Sequence, residues 1–281
     1  MNDHGLTAAQ LQAYGRHLQL AEKSAATAEK YLRDVRAFAR WLAGRAITKE
    51  AAAAWKARLV ELGYAPASVN AMLSALNSLL DFLGRGDCRV KFLKLQRRIF
   101  RDDRRDLTRR DYDALTAAAR ARGKGRLALL METICATGIR VSEVRYITVE
   151  AARAGRAEIA MKGKLRTILL PVKLCRKLLH YAKEQKTVSG EIFLTRNGTP
   201  ISRRQIWAEM KGLCRAAGVA PSKVFPHNFR HLFARVFYQA SRDMVKLADV
   251  LGHSSIETTR LYLLTSGTEH QRQLDRLRLV L

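Results

Sequence analysis

Long apolar runs are missing from this chain of 281 residues. No stretch approaches the ~20 uninterrupted apolar residues that a membrane span needs. The opening MNDHGLTAAQLQ is polar and lacks the charged-then-apolar order of a signal peptide. Cysteine is scarce. Cys88, Cys135, Cys175 and Cys214 stand far apart with no CxxC pair, which argues against a local zinc cluster or redox pair. Each sits among apolar neighbours, so four reduced core thiols in a reducing, cytoplasmic compartment are expected. Acidic residues are also short: 25 Asp and Glu face 51 Lys and Arg, a formal charge of +26. That excess points to a polyanionic partner, with nucleic acid first. A Walker loop, a pair of catalytic carboxylates and a Ser-His-Asp order are absent too, which removes the commonest hydrolytic and nucleotide-driven chemistries.

What remains is a chain that is 48% hydrophobic, enough for packed cores and too much for a disordered basic tail. Its length fits one or two domains. Thr7 and Gln10 form a capping box that opens a helix through Leu20. Helical spacing of Tyr31, Leu32, Val35, Phe38 and Leu42 predicts a second helix over Ala28–Leu42. Two more fit Lys49–Leu62 and Ala67–Leu83, giving a small bundle over residues 1–96. Residues 97–107 read as a basic linker, with Arg97, Arg98, Arg101, Arg104 and Arg105 placed to cross nucleic acid.

A second domain is expected over 108–281, opened by a Thr108–Asp111 capping box. Helices fit 109–121 and 125–136, then β signals follow at Arg145–Val149, Glu158–Met161 and Arg166–Leu170. The last two read as a hairpin around the basic turn Lys162-Gly163-Lys164. Helices resume over 172–186, 203–217, 227–239, 243–250, 255–264 and 267–279. The fold class is therefore mainly α, with a small antiparallel β-sheet in the C-terminal domain.

Four clusters in that domain carry candidate chemistry. In Ala136-Thr137-Gly138-Ile139-Arg140-Val141-Ser142-Glu143 a glycine closes a helix, and Glu143 stands one turn beyond Arg140, able to orient it. The hairpin turn offers Lys162 and Lys164, followed by Arg166. In Pro226-His227-Asn228-Phe229-Arg230-His231, His227 and Arg230 share a helix face; without a glutamate between the histidines the HExxH logic of a metal site fails. In Leu251-Gly252-His253-Ser254-Ser255-Ile256-Glu257, a Ser254–Glu257 capping box would put His253 at a helix N-terminus, a place that favours anions, with Tyr262 nine residues on. Taken singly, each cluster is ordinary surface or core. Together they bring cations around one phenol, which suits attack on a phosphodiester through a phosphotyrosine.

These motifs, ATGIRVSEV, the KGK turn with RTILLP, HNFRH and LGHSSIETTRLY, resemble those of the tyrosine recombinases, the phage-integrase and Xer-like site-specific recombinases, in the same order. The resemblance implies that Arg140, Lys162, His227, Arg230, His253 and Tyr262 are the catalytic set. Lys164 is the fallback for the lysine, because Met161 stands where the family hairpin usually has glycine and the turn is one residue shorter. It implies a two-domain form: a helical SAM-like core-DNA-binding domain over 1–96, and a catalytic domain over 108–281 with an exchangeable C-terminal helix, 267–281, striped by Leu274, Leu277 and Leu281. No room is left for a separate arm-binding domain before it. By the same resemblance Arg140 and Arg230 bind the scissile phosphate and His253 donates to it. His227 takes the Tyr262 proton, Lys162 protonates the leaving 5′-oxygen, and Glu143 orients Arg140 or His227. No metal or other cofactor is implied. The partners implied are double-stranded DNA with inverted core sites, bound by a homotetramer, and an accessory directionality protein. No membrane is involved, and the setting is the bacterial cytoplasm at the nucleoid. Lys164 and Arg166, with the linker arginines, are expected to touch DNA. A topoisomerase of the same chemistry and a non-catalytic DNA-binding protein are the competing readings; the LGHSS motif disfavours the first and the complete residue set the second.

Overall fold

The computed structural model describes residues 5–95, 103–161, 164–263, 271 and 275–277. The chain divides into two compact units, Met1–Arg97 and Arg98–Leu281. Among the described residues no helix is long and apolar enough to cross a membrane.

The first unit packs four helices. In α1 (Ala8–Leu20) the Thr7 hydroxyl accepts from Gln10 N while the Gln10 side chain accepts from Thr7 N, closing the expected box. Helix α2 (Ala25–Leu42) starts three residues before its first apolar contact, because Ser24 accepts from Thr27 N and caps it there. Helices α3 (Lys49–Glu61) and α4 (Pro66–Phe82) complete the set, the latter with proline in its first turn, where no amide partner is lost. Phe38, Leu42, Trp55, Leu59, Leu73 and Leu76 fill the centre, with the Phe38 and Trp55 rings edge-on at 5.9 Å. Two asparagines on one face of α4 then seize the outgoing chain. Asn77 donates to Val90 O and accepts from Val90 N, both at 3.0 Å. Asn70 does the same with Leu93 at 3.0 and 2.8 Å. Each amide mimics a neighbouring β-strand, so the extended segment is held without one.

In the second unit α5 (Arg109–Ala121) is opened by the Thr108–Asp111 box and packs on α6 (Gly125–Thr137). The expected strand at Arg145–Val149 does not form. Instead Val141–Tyr146 is a 3-10 helix, Thr148 caps α7 (Val149–Ala154), and one bridge joins Thr148 to Glu191. Val144, Ile147 and Val149 bury themselves in the core from these helical turns. Strands β1 (Arg156–Met161) and β2 (Lys164–Leu169) pair antiparallel, from Arg156 opposite Leu169 to Met161 opposite Lys164. The pleat sends Leu165 and Leu169 outward, 83% and 76% exposed, and Arg166, Ile168 and Leu170 inward.

Then come α8 (Val172–Glu184), α9 (Arg203–Lys211) and the short α10 (Cys214–Ala217), the expected 203–217 helix being interrupted at Gly212. Helix α11 (Pro226–Ser241) crosses α6 and precedes α12 (Met244–Leu251) and α13 (Ile256–Arg260). The last of these is shorter than expected, and its cap is Ser255 without a side-chain bond, so the Ser254–Glu257 box does not form. Most of the expected 267–279 helix lies outside the described residues. All four cysteines are free thiols, and Cys135 is only half-buried.

Helix α11 also holds the strand of chain that enters this unit. Asn228 donates to Arg105 O at 2.6 Å and Lys223 O at 2.8 Å. Arg235 pairs with Asp106 at 2.9 Å and donates to Leu107 O at 2.7 Å.

Removing a buried amide that serves both a donor and an acceptor leaves two unsatisfied backbone groups. Asn77→Ala is therefore expected to lower stability by about 1–3 kcal/mol, read as a shift of the urea midpoint by Trp41 and Trp55 fluorescence. Unchanged unfolding would show that the α4 clasp on Val90 is idle.

Candidate active site

The centre of the site is a buried cation. Arg230, on the inner face of α11, is 1% exposed, and a charge so placed needs polar partners. It finds them at two helix ends. Gly138 closes α6 in the left-handed conformation at φ 65°, and its carbonyl accepts from Arg230 Nη1. Leu251 ends α12, and its carbonyl accepts from Nη2 at 2.8 Å. Both are C-terminal carbonyls, which carry the negative end of a helix dipole. Nη2 also meets His253 Nε2 at 2.9 Å, and Nε faces the Tyr262 hydroxyl at 3.4 Å. Glycine is required at 138: besides the positive φ, a Cβ there would strike the Phe233 ring. Burial first of all pulls the Arg230 guanidinium down to about 10, still far enough above neutral pH to leave it charged.

A second cluster adjoins it. Glu143, 2% exposed, accepts from Arg140 N at 2.7 Å and Arg140 Nη1 at 2.9 Å. Its carboxylate also takes Arg166 Nη2 at 2.5 Å, and Arg166 Nη1 reaches Leu251 O. Arg140 leaves the chain just after α6 and stays 42% exposed at its side chain, so the rest of its fork faces solvent. Arg166, expected at the DNA surface, is instead turned inward by β2 onto Glu143. Two guanidinium groups, those of Arg140 and Arg166, thus share one carboxylate. Among the described residues no carboxylate pairs with Arg230.

The phenol lies within this cluster. Tyr262 is buried, with its amide bonded to Thr259 O at 2.9 Å. Three imidazoles surround its ring: His231 stacks at 4.1 Å, His253 lies at 5.3 Å and His227 at 5.4 Å. His231 is not among the expected site residues, although it follows Arg230 directly and lies one helical turn from His227. The expected role of His253 is to donate toward a phosphate. Here its Nε2 stands against a guanidinium, which only donates, so Nε2 accepts. Burial, then Arg230, Arg140, Arg166 and His227, push this ring down to about 4, which makes it neutral. Its Nδ1 lies 2.8 Å from Thr259 Oγ1, another contact that the sequence does not single out.

The remaining expected residues are less defined. Lys162, Arg97, Arg98 and Arg101 lie outside the described residues, and of Lys164 only the strand position is described. Arg104 and Arg105 are exposed, in the strap held by α11. Among the described residues no group of three or more His, Cys, Asp or Glu is placed to hold a metal ion. Chemically, the arrangement can receive one anion between the exposed Arg140 fork and Arg230, beside a phenol oxygen.

A folded-state pKa near 4 for His253, below the usual ~6.5, fixes the sign of a pH effect. The neutral ring stabilises the fold fully above pH ~6.5, and that contribution is lost as pH falls toward 4. The stability difference between the wild-type protein and His253→Gln, followed by thermal melting, is therefore expected to shrink over that interval. A difference independent of pH would contradict the placement of the ring.

Comparison with known proteins agrees with this geometry. Residues 105–267 match the Phage integrase family, and residues 11–86 match the Phage integrase N-terminal SAM-like domain. Tyrosine recombinase XerD of Brucella suis is 32% identical, covering 86% of this chain and 88% of its own. Tyrosine recombinase XerA of Pyrococcus furiosus is 25% identical over 100% of this chain and 98% of its own. A lambda integrase dimer bound to a COC' core site shares the fold, with a TM-score of 0.73 at 19% identity over 91% of this chain and 94% of that one. The integrase-family match alone spans more than half of the sequence and contains Arg140, Arg230, His253 and Tyr262, so the chain belongs to the phage integrase family of tyrosine recombinases, enzymes that break and rejoin DNA.

Proposed function

We propose that this protein is a site-specific recombinase in which Tyr262 attacks a scissile phosphate of duplex DNA. The observation that carries the reading is the charge of the cluster beside Tyr262: among the described residues, Arg140, Arg166 and Arg230 stand against one carboxylate, that of Glu143. Such a site is short of negative charge and is completed by a phosphodiester. Arg140 and Arg230 grip the non-bridging oxygens, Arg230 by exchanging carbonyl partners for phosphate. Glu143 holds Arg140 and Arg166 in register. For His253 to donate to the phosphate, Nε2 takes up a proton from solvent once phosphate draws Arg230 away.

In the first step the Tyr262 oxygen bonds to phosphorus and the P–O5′ bond breaks. His227 takes the phenol proton, and Lys162, or Lys164, supplies one to the leaving 5′-oxygen. The product is a 3′-phosphotyrosine and a free 5′-hydroxyl. Attack by the hydroxyl of a partner duplex reverses the bond change and, after two exchanges through a Holliday junction, gives recombinant DNA. The covalent bond conserves the energy of the phosphodiester, so the cycle balances without a nucleotide. This chemistry fits integration, excision and resolution alike.

Exchange needs four active sites, and lambda integrase has been solved as a tetramer bound to a Holliday junction. Here a neighbour's 267–281 segment would seat its leucine stripe in an apolar cavity of about 460 Å³ between α5, α6, α8 and α11. Tyr112, Cys135, Leu174, Leu232, Phe233 and Phe237 line that cavity. The domains of this reading are core-binding over 1–96 and catalytic over 108–281, joined by the arginine-rich strap on DNA, with direction set by an accessory protein.

The test uses nicked suicide duplexes built from DNA flanking the gene, incubated with protein in EDTA and run on a denaturing gel. The wild-type protein is expected to give a covalent protein–DNA band that Tyr262→Phe lacks. Arg140→Ala and Arg230→Ala, checked for folding by circular dichroism, are expected to form it ~10²–10³-fold more slowly. A band that persists in Tyr262→Phe would overturn the assignment of the nucleophile.

A further inference from the structure

We propose that Thr259 is a positioning residue that fixes the proton of His253 on Nδ1, so that the Nε2 lone pair steers the Arg230 guanidinium. The inference rests on the recombinase reading only for what Arg230 goes on to grip. Its own basis is a chain of four groups.

Arg230 can only donate, so at 2.9 Å from Nη2 the His253 Nε2 must accept. A neutral imidazole with a lone pair on Nε2 carries its hydrogen on Nδ1. That hydrogen points at Thr259 Oγ1, 2.8 Å away. Thr259 is 0% exposed, so water does not compete for the contact. With Arg230, Arg140, Arg166 and His227 near the ring, a doubly protonated imidazole is disfavoured, and the choice lies between two neutral tautomers. Only one of them suits Arg230. The other would press an Nε2 hydrogen against a guanidinium hydrogen and leave Nη2 with Leu251 O alone.

Threonine also suits the geometry of the nucleophile. Its carbonyl accepts from the Tyr262 amide at 2.9 Å, while its side chain holds His253. One residue in a short helical turn therefore ties the tyrosine backbone to the ring that orients the phosphate-binding arginine. A valine has the same shape and would keep the packing, but its methyl group cannot accept from Nδ1. A serine would keep the hydroxyl and lose only a methyl.

The experiment is ¹⁵N–¹H imidazole correlation NMR on the full-length, DNA-free protein, with His253 assigned through His253→Gln. The wild-type protein is expected to show His253 as the Nδ1–H tautomer. Thr259→Val is expected to move it toward Nε2–H, and Thr259→Ser to retain the wild-type signature. An Nε2–H ring in the wild-type protein, or an unshifted tautomer in Thr259→Val, would overturn the proposal. On the suicide duplex, Thr259→Val is expected to form covalent complex about 10-fold more slowly, the usual scale for losing a group that orients an active-site ligand, with Thr259→Ser close to the wild-type rate. A shifted tautomer with an unchanged rate would overturn the link to Arg230. A wild-type protein with the expected tautomer but no covalent complex on any duplex would count against the recombinase reading alone and leave the Thr259–His253 coupling standing.

Discussion

A positive charge buried with no carboxylate partner among the described residues is the constraint on which this site is built. Arg230 is enclosed by protein, yet its partners are dipoles: the carbonyls that end α6 and α12, an imidazole lone pair and a phenol oxygen. Dipoles reduce the cost of desolvating a guanidinium without cancelling its charge. A carboxylate in the same place would cancel it and leave no charge for the scissile phosphate of the proposed reaction. The charge is therefore held in reserve, and the two helix ends must stay where they are for it to be tolerated. Gly138 and Gly252, both left-handed caps, follow from that need.

The second layer applies the opposite rule. Glu143 is a buried carboxylate, and it is saturated by Arg140 and Arg166 with good geometry. A buried carboxylate held this way is a fitting that fixes geometry rather than a source of net stability. Arg166 reaches the same Leu251 carbonyl as Arg230. The hairpin, the 3-10 turn after α6 and the end of α12 are consequently tied through a few polar atoms, and a shift in one is felt in the others.

Much of this is legible in the sequence because the signals are local. Capping boxes at Thr7 and Thr108, helical spacing along α2 and α4, and the pairing of β1 with β2 are each decided within a few residues. The motif residues Arg140, Arg230, His253 and Tyr262 stand out by their order along the chain. What escapes is decided by tertiary context. Ile147 and Val149 alternate as a strand over Arg145–Val149 would, and only the core they enter makes the segment a turn and a helix start. Arg166 reads as a surface cation because its inward face depends on the register of β2. His231 and Thr259 look ordinary in sequence, since a ring stack and a buried hydroxyl contact need the folded neighbours to exist.

Helix α11 carries the cation on one face and grips the entering strap on another. Asn228 sits between His227 and Arg230 and is bonded to the Arg105 carbonyl, and Arg235 clasps Asp106 and Leu107 further along the helix. In mechanical terms α11 and the strap are riveted together at two places along the helix. The turn that carries Arg230 is therefore also an anchorage for residues 105–107, and releasing the Asn228 or Arg235 bonds would strip partners from the same helix that holds the buried guanidinium.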